Sequence, residues 1–109
     1  MKIAVAATPA VALPTLEWLL NSEHELVFVI TQPDRPAGRG RTLKESEVSV
    51  WAKDHGIECL KPESRAETGP LLEDIDVLLT IGYGVLLPEE LLAIPLNGCL
   101  NLHFSLLPR

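Results

Sequence analysis

Two residues near the end of this chain have the types and spacing to do chemistry together. Asn101 and His103 close an apolar run, and the sequence continues Phe104-Ser105-Leu106-Leu107-Pro108-Arg109. In an extended strand, side chains at i and i+2 project to the same side. A neutral amide and a titratable imidazole would therefore face one point. An amide N–H aimed there can stabilise a developing oxyanion. An imidazole that titrates near neutral pH can move a proton. A lone histidine at a strand end is more often a structural hydrogen-bonding residue, but Asn101 beside it and the turn behind it favour the catalytic reading. Such a histidine is usually oriented by a carboxylate. No Asp or Glu lies close in sequence, so the partner is expected from elsewhere in the fold or from further sequence.

The Ser105-Leu106-Leu107-Pro108 turn reads either as a plain strand exit or as the wall of a pocket, pairing apolar side chains with a few backbone hydrogen bonds around a planar heterocycle. Ser105 is not expected to be a nucleophile, because no G-x-S-x-G elbow surrounds it. A third candidate is the loop from Gln32 to Thr42. Arg35, Arg39, Arg41 and Lys44 cluster in and beside it on a chain of formal net charge -6. A solvated loop is the default, but such a cluster is a local anion attractor, suited to a phosphate-bearing polymer end. Its Gly38-Arg39-Gly40 lacks the G-K-[ST] ending of a phosphate-binding P-loop, and Gly82-Tyr83-Gly84 is weak evidence for a dinucleotide site.

Elements able to position these residues are legible in the hydrophobic pattern. Ile3–Ala7, Glu25–Thr31, Ile57–Leu60, Ile75–Ile81 and Cys99–His103 read as strands, most of them continuous apolar runs of the kind buried on both faces. Pro14–Asn21, Glu45–His55 and Pro88–Ala93 read as helices, and Pro62–Glu73 as a less regular helical stretch. Val48, Val50, Trp51 and Ala52 are the inward candidates of the second helix, and Gly56 its C-terminal cap. Pro14 and Glu17 suit the start of the first helix. The alternation predicts an α/β, Rossmann-like, mostly parallel sheet with helices on both faces. Ligands of such sheets sit outside the carboxyl ends of the strands. The loops Ala7-Thr8-Pro9, Gln32–Arg41, Gly82-Tyr83-Gly84 and His103–Pro108 would then gather at one edge.

Composition narrows the rest. With 109 residues and 47% apolar content, the chain can build one domain with a real core. Its acidity argues against binding DNA or membranes through bulk charge. The two cysteines, Cys59 and Cys99, stand in apolar runs and are expected as buried, reduced thiols. No Cys/His ligand spacing suggests a metal site. The apolar N-terminus is short and reads as a first strand rather than a signal peptide.

Asn101-x-His103-x-Ser105-Leu106-Leu107-Pro108 resembles the signature of folate-dependent formyltransferases. Thr31-Gln32-Pro33-Asp34-Arg35-Pro36-Ala37-Gly38-Arg39-Gly40 resembles the loop by which the methionyl-tRNA branch of that family contacts the acceptor end of initiator tRNA. Thr8-Pro9 and Tyr83-Gly84-x-Leu86-Leu87-Pro88 match as well. The resemblance implies a cytoplasmic enzyme that moves a formyl group from 10-formyltetrahydrofolate, as co-substrate and without a metal, to the amino group of methionyl-tRNA. It implies that His103 manages the proton, Asn101 holds the oxyanion, and Ser105, Leu106, Leu107 and Pro108 line the folate site. Arg39, aided by Arg35, Arg41 and Lys44, would meet the tRNA. Ala7 replaces a usual Gly, and Phe104 a usual small residue at the folate mouth. The family's orienting Asp, the last strands of its sheet and a C-terminal tRNA-binding domain are expected beyond Arg109. Residues 1–109 would then be the N-terminal part of the catalytic domain, inactive alone. A formyltransferase acting on glycinamide ribonucleotide or an amino sugar, and a non-catalytic module that keeps the folate fold, remain alternative readings.

Overall fold

A computed structural model describes residues 1–37, 42–83 and 87–102. In chain order these form β1 (Lys2–Ala7), a single 3-10 turn, α1 (Leu13–Leu20), β2 (Glu25–Ile30), β3 (Arg35–Ala37), β4 (Thr42–Lys44), α2 (Glu47–His55), β5 (Cys59–Leu60), α3 (Arg65–Leu71), β6 (Val77–Ile81), α4 (Glu89–Leu92) and β7 (Cys99–Leu102). Five strands make one sheet in the order β5-β2-β1-β6-β7, with every neighbouring pair parallel. The chain therefore winds outward from β1 in one direction and then, from β6, in the other.

Both faces of the sheet are covered, as the continuous apolar strands require. On one face Ile3, Val5, Leu79 and Ile81 pack against Leu16 and Leu19 of α1 and Val48, Trp51 and Ala52 of α2. On the other, Ala4, Ala6, Ile30 and Leu78 pack with Leu72, Ile75 and Leu91. A register shift of β2 between the partners of Ile3 and Ala4 leaves Val27 and Phe28 both on this second face. Gly69 lets α3 approach α4: a Cβ there would stand 3.3 Å from Leu91 Cδ2.

Several expectations shift. The Gln32–Thr42 loop contains an antiparallel hairpin, with Arg35 opposite Lys44, Pro36 opposite Leu43 and Ala37 opposite Thr42. The second helix starts at Glu47 because Ser46 caps it, its Oγ accepting the Ser49 N–H at 3.1 Å. Val50 is exposed rather than inward, since it stands about 200° around the helix from buried Val48. Gly56 does cap α2, in the left-handed conformation at φ 69°. Glu17 lies beyond the first turn of α1; its carboxylate instead accepts the Trp51 indole N–H at 3.2 Å and joins α1 to α2. Cys59 and Cys99 are free but only half-buried, because each sits on an edge strand of the sheet.

Candidate functional site

The sheet order reverses between β1 and β6, and the carboxyl ends of those strands are where a ligand crevice opens in this architecture. The loops that leave there are tied to a single backbone atom. Thr8 Oγ1 donates to the Tyr83 carbonyl at 2.9 Å, and Gln32 Nε2 donates to the same oxygen at 2.8 Å. The exits of β1, β2 and β6 thus share one acceptor, which uses both its lone pairs. Gly82 makes the approach possible. Its φ is +56°, and a Cβ on it would stand 3.0 Å from Pro9 Cγ. The Tyr83 ring is buried, and that burial pushes its phenol above the usual range, so it stays protonated at neutral pH.

Asn101 stands near the carboxyl end of β7, in register with Thr80 of β6, which is itself in register with Ala6 of β1. The Thr80 hydroxyl donates to Asn101 Oδ1 at 2.9 Å. A carboxamide whose oxygen accepts from a fixed hydroxyl presents its nitrogen as the donor end. Cys99, on the same side of β7, has its thiol pushed up by burial, partly offset by a hydrogen bond with Thr80. It is a packing residue rather than a nucleophile.

Beside this edge lies an open groove of about 360 Å³, lined by Thr8, Pro9, Gln32, Pro33, Pro36, Lys44, Glu45, Ser46 and Glu47. It separates the β1 exit from the hairpin. A larger hollow of about 470 Å³, formed by residues between Glu17 and His24, lies at the opposite end of the sheet, where β2 begins. Its hydrogen bonds belong to the end of α1: Asn21 Nδ2 donates to the Glu17 carbonyl at 2.9 Å and Ser22 Oγ to the Leu19 carbonyl at 2.7 Å.

Of the residues expected to carry the chemistry, the structure describes Asn101 on β7, exposed Lys44 on β4, and the backbone of Arg35 on β3. His103, Ser105, Leu106, Leu107, Pro108, Phe104, Arg39 and Arg41 lie outside the described residues. So does Gly84 of the Gly82-Tyr83-Gly84 turn. Among the described residues no group of three or more His, Cys, Asp or Glu side chains could hold a metal ion. No described helix is long and apolar enough to cross a membrane. Sequence reasoning missed Thr80 and Gln32. Thr80 had a signal, as the single polar residue inside the run Val77–Ile81. Gln32 had one too, as a polar side chain just past the carboxyl end of a buried strand.

Comparison with known proteins gives the arrangement a context. The chain is 48% identical over 113 residues to a protein of Salinispora tropica named methionyl-tRNA formyltransferase, covering 99% of this chain and 36% of that protein. Proteins of the same name from Mycobacteroides abscessus and Frankia alni are 49% and 50% identical, each across 99% of this chain and 36% and 34% of their own lengths. The chain thus spans about a third of the length of these relatives. The sequence profile of one family, formyl transferase, matches residues 1–109. Together with the parallel sheet and the Asn101 position at its carboxyl edge, that match across the full 109 residues means that the chain belongs to the formyl transferase family.

Proposed function

We propose that this chain supplies the N-terminal part of a methionyl-tRNA formyltransferase, a cytoplasmic enzyme of translation initiation. The reaction moves the formyl group of 10-formyltetrahydrofolate to the amino group of initiator methionyl-tRNA. The observation that carries the reading is the Asn101 carboxamide, held by Thr80 near the carboxyl end of β7 and followed two residues later by His103. The hairpin supports the choice of acceptor: its strands set Arg35 opposite Lys44, beside the groove. Cationic residues on an acidic chain suit a phosphate backbone, where contacts of this kind supply affinity and register.

In this reading the neutral methionyl amine attacks the formyl carbon, and the carbonyl oxygen becomes an oxyanion. Asn101 donates a hydrogen bond to that oxygen from its nitrogen end, and the bond strengthens as charge develops. Collapse breaks the bond between the formyl carbon and the folate nitrogen. The proton lost by the amine passes by way of His103 to that departing nitrogen, so acid and base steps balance. Ser105, Leu106, Leu107 and Pro108 line the folate site. Arg39, with Arg35, Arg41 and Lys44, engages the acceptor end of the tRNA. No covalent enzyme intermediate is required; positioning and charge stabilisation supply the rate.

The test is a chimera in which residues 1–109 replace the matching segment of the Salinispora tropica protein. It is expected to formylate initiator methionyl-tRNA with 10-formyltetrahydrofolate. Asn101→Ala and His103→Ala should each lower kcat/KM by about a hundredfold or more, the scale for losing an oxyanion donor. Preference for glycinamide ribonucleotide or an amino sugar, or full turnover by Asn101→Ala, overturns the reading. The 109 residues alone, about a third of the relatives' length, are expected to give no detectable formylation.

A further inference from the structure

The hairpin of β3 and β4 is not part of the main sheet. Three residue pairs join it among the described residues, and an isolated two-stranded hairpin is marginally stable in water. Something outside it must fix its direction. Its legs are Asp34, immediately before β3, and Glu45, immediately after β4. Both carboxylates meet one ammonium group. Lys61 Nζ lies 2.7 Å from Asp34 Oδ1 and 3.9 Å from Glu45 Oε1. Lys61 directly follows β5, whose last residue, Leu60, pairs with Ile30 at the end of β2. The ammonium therefore hangs from the edge of the rigid sheet and bridges both feet of the hairpin.

The same contacts settle a competition between charges. Glu45 adjoins Lys44 in sequence and could neutralise it. Lys61 engages Asp34, while Glu45 is shared by Lys53 Nζ at 2.9 Å, Ser49 Oγ at 2.7 Å and Lys61. Lys44 is exposed and makes no ion pair among the described residues. The base of the hairpin is thus neutralised from below by lysines of the scaffold, and Lys44 is left to face outward. Individually such partly exposed pairs contribute little to stability. Their effect here is directional, because one cation holds two chain segments in a fixed relation.

We infer that Lys61 is a positioning residue for the acceptor: by clamping Asp34 and Glu45 it sets the angle at which the Arg35–Lys44 hairpin meets the phosphates of the tRNA end. This inference rests on the hairpin being the tRNA-binding element of the proposed function. Its test has two parts. Hydrogen exchange on the 109-residue chain is expected to show amides of β3 and β4 exchanging about threefold faster in Lys61→Ala, with β1 and β6 unchanged. In the chimera, Lys61→Ala should raise KM for methionyl-tRNA about tenfold while kcat and KM for 10-formyltetrahydrofolate stay within about twofold. Lys61→Arg should restore both measurements, because a second long cation can span the same carboxylates.

Asp34→Asn keeps the shape and removes one of the two charges, so it serves if Lys61→Ala fails to fold; its exchange and KM should move in the same direction. Unchanged hairpin exchange in the folded variants overturns the clamp. Faster exchange with an unchanged KM for methionyl-tRNA overturns the positioning role. The functional reading fails separately, if the parent chimera does not formylate methionyl-tRNA or if Arg39→Ala leaves its KM for that substrate unmoved.

Discussion

The hydroxyl of Thr80 stands 2.9 Å from the side-chain oxygen of Asn101, across a parallel strand pair that sets the two residues in direct register. An amide has two chemically opposite ends of nearly equal size, and only the nitrogen end can donate to an oxyanion. The Thr80 hydroxyl distinguishes the ends. In Thr80→Val the shape is kept and the donor is lost. A hydrogen bond of this kind is worth about 1 kcal/mol, so kcat of the chimera should fall about five- to tenfold, with both KM values unchanged. Thr80→Ser should recover most of the rate. A Val variant with parental kcat would mean that the Thr80 hydroxyl is not what orients the amide.

Gly82 and Gly56 both adopt positive φ, at 56° and 69°, but their surroundings differ. Beyond Gly56 a Cβ meets nothing within 4 Å; beyond Gly82 it meets Pro9 Cγ at 3.0 Å. Gly56→Ala should therefore cost only the conformational term, about 1 kcal/mol. Gly82→Ala carries the same term plus a clash that must move the β1 exit, and should cost about 2 kcal/mol or more. Urea unfolding of the 109-residue chain checks both. Equal losses in the two variants would show that the Pro9 loop yields freely, and that the crevice between β1 and β6 is not held by this contact.

The sheet was legible because a parallel strand buried on both faces is a near-continuous apolar run, and Ile3–Ala7 and the stretch Val77–Leu79 within the expected strand Ile75–Ile81 admit few other readings. The cap at Gly56 was equally plain, since a helix ending in Lys53, Asp54, His55 and Gly56 carries its stop in its residue types. The hairpin was not legible. Pro36, Ala37, Gly38 and Gly40 are loop formers, and what makes strands of Arg35–Ala37 and Thr42–Lys44 is the clamp at their feet, supplied by a lysine far along the chain. Val50 was misplaced because its aliphatic type was weighed above its position, about 200° around the helix from Val48. The loop convergence at the strand ends followed from topology, but its fastening at the Tyr83 carbonyl did not, because a backbone acceptor leaves no mark in the sequence.

Glu45 and its partner Lys53 carry a pH signature. Hydrogen bonds from Ser49 and then Lys53 hold the Glu45 carboxyl below its ordinary value of 4.5. The hydrogen bond to Glu45 and its charge hold Lys53 above 10.5. A depressed acid stabilises the fold above its unfolded pKa, and that contribution is lost as pH falls through the lower folded value. A raised base stabilises below its unfolded pKa and loses its contribution as pH rises through the higher folded value. Between about pH 5 and pH 9 the pair therefore adds a constant contribution. The Tm of the parent chain should exceed that of Glu45→Gln across this window, and the two should converge on acidification past the Glu45 titration. A difference that persists unchanged into acid would show that the Glu45 charge is not what the lysines and Ser49 hold.

On the opposite side of α2, the join between the first two helices depends on a buried indole. Trp51 is 6% exposed, stacks on His55 at 4.3 Å between ring centroids, and donates its N–H to Glu17 of α1. Trp18 is 64% exposed, so an aqueous quencher should reach one tryptophan of the folded chain and spare the other. Glu17→Leu leaves the Trp51 donor buried without its acceptor, which costs about 1–3 kcal/mol. Trp51→Phe removes the donor and some packing. In the double variant no orphaned donor remains, so its loss should be smaller than the sum of the single losses by about 1 kcal/mol or more. Strict additivity would mean that water satisfies the indole when Glu17 is gone. The two helices would then be held together by Leu16, Val48 and Ala52 without help from the hydrogen bond.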